Sequence, residues 1–151
     1  SQVERDDHQS EYFQNKNYRI QTLKESLSLT FNPSASIRLE LNYEFADMDN
    51  RAGSEDAIKH LGGARFQYSQ QDQYQIKGKF NFIYFRYDEP ENTPIAYQML
   101  EGLNPGRNGT WNLIFRKQLY KNLELNINYS GRVSENQKAI HTGQVQLMAN
   151  F

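Results

Sequence analysis

Apolar and polar residues alternate with a period of two over most of the chain, the pattern of β-strands with one apolar and one polar face. The clearest stretch covers residues 123–133, where odd positions are apolar or glycine and even positions are polar. Six more stretches follow the same period, more weakly in the first and third: 18–31, 37–45, 61–69, 74–84, 111–119 and 143–151. All seven exceed the ~5–6 residues usual in globular proteins and reach the ~9–11 residues of a membrane-spanning strand. The pattern predicts an all-β, antiparallel fold and favours a transmembrane β-barrel.

Short and long connections alternate strictly between these stretches. The short ones cover residues 32–34, 70–73 and 120–122, and the long ones cover residues 47–59, 88–108 and 135–140. Outer-membrane barrels have short periplasmic turns and longer extracellular loops. A soluble meander has no physical reason to sort its loops by side, so the alternation favours a barrel.

Aromatic residues collect at both ends of the predicted strands. Toward the short turns lie Phe31, Tyr68, Tyr74, Tyr120 and Phe151, and toward the long loops lie Tyr43, Phe45, Tyr84, Tyr87, Trp111 and Tyr129. Amphipathic rings favour the headgroup level on both sides of a membrane, although aromatic residues also have a general preference for strands. We interpret the two clusters as aromatic girdles.

The overall composition is that of a polar soluble protein, but the order of the residues is also compatible with a membrane barrel. With 37% hydrophobic residues, a net charge of −1 and a mean hydropathy of −0.88, the 151-residue chain has the totals of a polar soluble protein. In a barrel, however, only alternate side chains face lipid, and the others face the lumen. Eight charged residues are predicted to face the lumen: Arg38, Glu40, Glu44, Lys77, Lys79, Arg116, Glu124 and Arg132. The near-zero charge argues against a nucleic-acid partner, and the absence of cysteine excludes disulfides.

The predicted strands do not close a barrel by themselves. Residues 1–17 are interpreted as a polar N-terminal segment or extracellular loop, and residues 18–151 as about seven barrel strands. Bacterial single-chain barrels have an even number of strands with both ends in the periplasm. We therefore expect the C-terminal part of a larger barrel, or a barrel completed by another chain. The alternative is an eighth strand within residues 1–17.

The longest connection, residues 88–108, carries apolar side chains where solvent is expected. Tyr97, Met99 and Leu100 are its main candidates for contact. Loops of this length are usually functional. Either the segment folds into the lumen or over the rim and buries these residues, or it docks on a partner.

The C-terminal strand, residues 143–151, resembles the assembly signal of outer-membrane barrel proteins, an alternating last strand that ends in an aromatic residue. Val145, Leu147 and Phe151 carry this pattern. The last 60 residues or so, with Asn92–Asn108 as the longest matching stretch, resemble the end of large, mostly uncharacterised outer-membrane proteins of Bacteroidota. The resemblance implies a Gram-negative outer membrane, a periplasmic C-terminus and contact with lipid and the barrel assembly machinery. Other outer-membrane or periplasmic subunits are possible partners.

These patterns predict a non-enzymatic barrel that serves transport, translocation or the anchoring of a larger assembly, with no cofactor, catalytic group or metal site. One alternative is an outer-membrane enzyme with a rim site, for which Ser134, Glu135 and His141 are the available residues. Acidic loops such as Asp47 with Asp49 could hold Ca²⁺ through oxygen ligands, but solvated acidic loops are far commoner. A soluble lipocalin-like barrel is the other alternative, and it would bury its apolar face inside.

Overall fold

The part of the chain that the structure describes forms one antiparallel β-sheet of eight strands in sequence order, with almost no helix. A computed structural model describes residues 2–8, 18–70, 73–90 and 92–149. The elements are β1 (Gln2–His8), β2 (Tyr18–Ser34), β3 (Ile37–Asn50), β4 (Asp56–Gln70), β5 (Tyr74–Tyr87), α1 (Pro94–Met99), β6 (Gly106–Tyr120), β7 (Leu123–Ser134) and β8 (Ile140–Ala149). The predicted all-β, antiparallel fold is confirmed. No helix in the described ranges is long and apolar enough to span a membrane.

The predicted count of seven strands is wrong, because β1 forms an eighth strand inside the segment that was expected to be a polar loop. Its residues Gln2 to His8 pair with Lys24 to Tyr18 of β2. Val3 is the one apolar side chain in this strand, so no alternation marks it. Backbone hydrogen bonds to β2 place it in the sheet, and these depend little on side-chain type.

The sheet is open along both edges and is not closed into a barrel. Within the described ranges, β1 pairs with β2 and β8 pairs with β7, and neither strand has a second neighbour. Because β1 pairs only with residues 18–24, the second half of β2 also has an open edge. The transmembrane barrel therefore stays a proposal.

Short and long connections alternate in the structure as well, but the three predicted long ones are all shorter than expected. Between β3 and β4 the link is only residues 51–55, because Asp47 and Asp49 belong to β3 and Asp56 to β4. We call the end of the sheet with the short links 35–36, 71–73 and 121–122 the turn end, and the opposite end the loop end. The loop end carries the 18-residue link 88–105, which contains α1.

The buried core lies at the loop end, between α1 and one face of the sheet. The sheet contributes Ile20, Met48, Ala57, Ile83, Phe85 and Tyr87, and the α1 segment contributes Ile95, Ala96, Met99 and Leu100. The assignment of Tyr87 to an aromatic girdle is wrong, because its side chain is 7% exposed and belongs to this core. The alternation of Phe85 and Tyr87 with outward-facing Tyr84 and Arg86 places them on the face that α1 covers.

Trp111 and Gly131 form a close cross-strand contact on the face of the sheet opposite α1. They pair directly between β6 and β7, and a Cβ atom at Gly131 would overlap the Trp111 ring. Such a flat glycine surface lets an aromatic ring cover the neighbouring backbone. The contact therefore fixes the position of this ring.

We predict that Gly131→Ala forces the Trp111 ring aside and destabilises the protein by about 1–3 kcal/mol, the usual cost of overpacking. Trp111 is the sole tryptophan of the chain, so its emission maximum reports the displacement without interference. Gly62→Ala is the matched control, because a Cβ atom there meets nothing within 4 Å. An unchanged emission spectrum in Gly131→Ala would contradict the packing described.

Candidate functional site

The apolar face of the sheet is exposed rather than buried. We define it by the side chains that alternate away from α1. Among its large exposed residues are Leu27, Leu29, Phe31, Leu39, Leu41, Tyr43, Phe66, Phe80, Phe82, Tyr84, Leu113, Tyr129, Val145 and Leu147. Leu41 in the middle of this face is 60% exposed. Soluble monomers rarely expose a contiguous apolar surface of this extent, so the face requires a partner or an apolar solvent.

The apolar band on β3 has the length of a short membrane-spanning strand. It runs from Ile37 to Phe45, and beyond it the same face becomes polar at Asp47 and Asp49. At ~3.3 Å per residue this stretch is roughly 26 Å long along the strand. A tilted membrane-spanning strand needs ~9–11 residues, and the nine residues from Ile37 to Phe45 reach the lower end of this range.

Rings border this band at both ends. At the turn end, the rings of Tyr68 and Tyr74 lie 5.6 Å apart. Toward the loop end, the His60 ring lies 5.2 Å from Phe45 and 6.4 Å from Tyr84. Apart from Tyr87, the described members of the two sequence-based clusters lie on the apolar face of this sheet, and Phe151 lies outside the described residues.

Two histidines on the apolar face each form a hydrogen bond with a tyrosine of the neighbouring strand. Sequence reasoning missed both pairs. Tyr43 and His60 are joined by a hydrogen bond of 2.8 Å between the phenol oxygen and Nδ1. Tyr129 and His141 are joined in the same way, also at 2.8 Å. In both cases the tyrosine pairs with the glycine two residues after the histidine. The repeated His-x-Gly sequence was the available signal.

The polar face carries all eight charged residues that were predicted to share one side. The strand register places them on one face, although the open sheet encloses no lumen: Arg38, Glu40, Glu44, Lys77, Lys79, Arg116, Glu124 and Arg132. Cross-strand contacts connect side chains of this face, such as the ion pair of Arg65 with Glu40 at 2.7 Å and the hydrogen bond from Asn81 to Thr110 at 3.0 Å. Their location in a lumen stays a prediction.

The α1 segment packs against the loop end of the polar face. Its N-cap is Thr93, whose hydroxyl accepts a hydrogen bond from the Ala96 amide at 3.1 Å, and Pro94 begins the first turn. Met99 and Leu100 are almost completely buried, at 1% and 2% exposure. Of the two alternatives for this connection, folding back to bury its apolar residues agrees with the burial of these two residues. It is wrong for Tyr97, which is 71% exposed and lies over Gly102.

A buried lysine ties the α1 segment to the sheet. Lys59 of β4 has its Nζ 3.0 Å from a Glu44 oxygen and 2.6 Å from a Glu101 oxygen, and it lies 6.0 Å from the Phe85 ring centre. A buried ammonium group needs paired carboxylates, because an unpaired charge is expensive to desolvate. Sequence reasoning missed Lys59 because one of its two carboxylate partners, Glu101, is 42 residues away.

We predict that Glu101→Gln loosens the α1 segment and lowers stability by about 1 kcal/mol, since Glu44 still neutralises Lys59 and Glu101 is half exposed. Limited proteolysis of the 88–105 link would measure the loosening as faster cleavage. Glu89→Gln is the matched control, because this carboxylate lies in the same link and forms no ion pair in the described part of the chain. Equal cleavage rates for both variants would contradict a tethering role for Glu101.

The candidate rim triad is not brought together. Ser134 donates to the Asn108 side chain at 2.6 Å, Glu135 accepts from the Arg107 amide at 3.0 Å, and His141 contacts Tyr129. Ser134 and His141 lie on opposite faces, because they pair with Asn108 and Gly131 respectively. No group of three potential metal ligands occurs among the residues that the structure describes.

The C-terminal strand β8 is an exposed edge. Val145 and Leu147 lie on the apolar face and are 70% and 60% exposed, whereas Phe151 lies outside the described residues. Such an edge presents unpaired backbone groups to an incoming strand.

Comparisons of the chain with protein-family models, curated proteins and solved structures find no match in any of the three.

Proposed function

We propose that this chain forms part of the wall of an outer-membrane β-barrel, in a non-enzymatic protein that serves transport, translocation or the anchoring of a larger assembly. The observation that carries the proposal is the exposed apolar face, bordered by rings and followed by charged residues at the loop end. In a membrane, these side chains would contact lipid, and the polar face would point away from it. Strands β3 to β7 pair with a neighbour on both sides, as a membrane requires of its spanning strands.

The open edges set a condition on this proposal. Unpaired backbone groups cannot remain in hydrocarbon, so the edge of β8 and the free half of β2 need strand partners in the membrane. Those partners can come from further strands of the same protein or from another chain. The resemblance to Bacteroidota outer-membrane proteins, a periplasmic C-terminus and contact with the barrel assembly machinery belong to the same proposal.

A soluble lipocalin-like barrel is the less favoured candidate. That class buries its apolar side chains inside and exposes polar ones. Here the large apolar side chains in the middle of the sheet are exposed, as Leu29 and Phe82 are at about 60%. The covered part of the sheet is the loop end of the polar face, beneath α1.

The proposal is tested by fractionating a Gram-negative host that produces and exports the protein. We expect the protein in the outer-membrane fraction, extracted only by detergent, with faster gel migration before heating than after. A monodisperse protein that stays soluble without detergent and migrates identically with and without heating would contradict the proposal.

A further inference from the structure

The polar face also contains a basic cleft in the turn half of the sheet. The cleft has a volume of about 300 Å³ and spans strands β3 to β6. Two neighbouring rows of paired residues line it. One row consists of Glu40, Arg65, Lys79 and Asn112, and the other consists of Arg38, Gln67, Lys77 and Ile114.

The cleft carries an excess of positive charge that the protein does not neutralise. Four cations face a single carboxylate, Glu40, whose oxygens lie 2.7 Å from Arg65 and 3.6 Å from Arg38. Lys77 and Lys79 form no ion pair within the described ranges. Two other lysines of the polar face are paired, Lys24 with Glu4 and Lys59 with Glu44.

The strand register places two of these cations directly opposite each other. Arg65 and Lys79 pair across β4 and β5, and side chains of directly opposed residues are ~4.5–5.5 Å apart at their Cβ atoms. Like charges in such a pair destabilise a sheet. An anion between them would turn this repulsion into attraction, and Asn112 and Gln67 would add amide donors.

We propose that this cleft binds a small multivalent oxyanion, one that carries phosphate or polycarboxylate groups. Guanidinium groups bind such oxygens in a forked geometry, and lysines add point charges. The net excess of three positive charges favours a ligand with two or more negative charges over chloride. The site lies on the face opposite the apolar band, so the inference holds whether or not the sheet lies in a membrane.

The test is titration calorimetry of the purified full chain with pyrophosphate and with citrate, at constant ionic strength. We expect saturable binding of at least one of them at one site per chain. Lys77→Gln and Lys79→Gln should each weaken it at least fivefold. Arg132→Gln is the matched control, because Arg132 lies on the same face outside the cleft, and it should change the affinity less than twofold.

Stability in the absence of the anion provides a second readout. Lys79→Gln should unfold at the same temperature as the unmodified protein or a higher one, because it removes the repulsion with Arg65. The site would be overturned if neither pyrophosphate nor citrate bound at constant ionic strength. It would also be overturned if Arg132→Gln weakened binding as much as Lys77→Gln and Lys79→Gln do. Weaker binding of pyrophosphate by Lys79→Gln at unchanged thermal stability would support it.

Discussion

Replacing Met99 and Leu100 together with serine will detach the α1 segment from the sheet and destabilise the protein by about 4 kcal/mol or more. Both side chains are almost fully buried in the core at the loop end. Truncating one buried Met or Leu costs about 2–5 kcal/mol, and the hydroxyls would add unpaired polar groups. The two losses belong to neighbouring residues and will not add fully.

Denaturant unfolding and limited proteolysis measure this effect. Cleavage within residues 88–105 should become much faster, while the strands at the turn end stay protected, since few of their contacts involve α1. Tyr97→Ser is the matched control, because Tyr97 belongs to the same helix but is largely exposed. If the double variant resisted cleavage as well as Tyr97→Ser does, the packing of α1 on the sheet would be contradicted.

Leu41→Arg will strongly impair insertion or stability in a membrane, by about 2–4 kcal/mol. Leu41 lies in the middle of the apolar band, and a cation on the lipid face of a barrel costs about this amount at the bilayer midplane. The matched control is Ser28→Arg on the adjacent strand. Ser28 is also exposed but lies on the polar face, next to Asn42.

The comparison of these two variants distinguishes a membrane wall from a soluble sheet. In the membrane, Leu41→Arg should lower the folded fraction in the outer membrane and Ser28→Arg should leave it nearly unchanged. For a soluble sheet, exposed substitutions of either kind stay within about 0.5 kcal/mol, and Leu41→Arg would improve solubility. Equal behaviour of the two variants in the membrane fraction would contradict a lipid-facing role for Leu41.

Much of the sheet could be predicted because its alternation survives in the sequence. Stretches such as residues 37–45 and 123–133 have one apolar and one polar face, and both lie inside observed strands. Alternation reveals a strand only when its two faces differ in polarity, so a strand whose faces are alike cannot be predicted in this way. In β1 nearly all residues are polar, and this strand was missed for that reason.

The strands of the core at the loop end show the opposite pattern to β1, because both of their faces are apolar. There Phe45 and Ala46, and Tyr84 and Phe85, place apolar residues on both faces, because one face is exposed and the other lies under α1. A run of apolar residues without alternation indicates a strand with two apolar faces, and this signal was present in the sequence. Tyr87 was assigned to the wrong face because its aromatic character was weighed without its position in the alternation.

The candidate sites depended on contacts that no local pattern encodes. The charges of the polar face follow from parity, so Lys77 and Lys79 could be placed on one side. Their position opposite Gln67 and Arg65 required the register between strands. The link from Lys59 to Glu101 required the path of the long connection, which proline and apolar content alone did not determine.

A lipid-facing role for the apolar face is tested most directly by the environment of successive side chains along β3. The chain contains no cysteine, so single cysteines at residues 39, 40, 41, 42 and 43 can carry a nitroxide label without further changes. After reconstitution into lipid vesicles, collision rates with oxygen and with a water-soluble nickel chelate separate lipid from water. We predict that oxygen collisions dominate at 39, 41 and 43, and nickel collisions at 40 and 42, with a period of two. High nickel accessibility at 39, 41 and 43 would contradict a lipid-facing sheet.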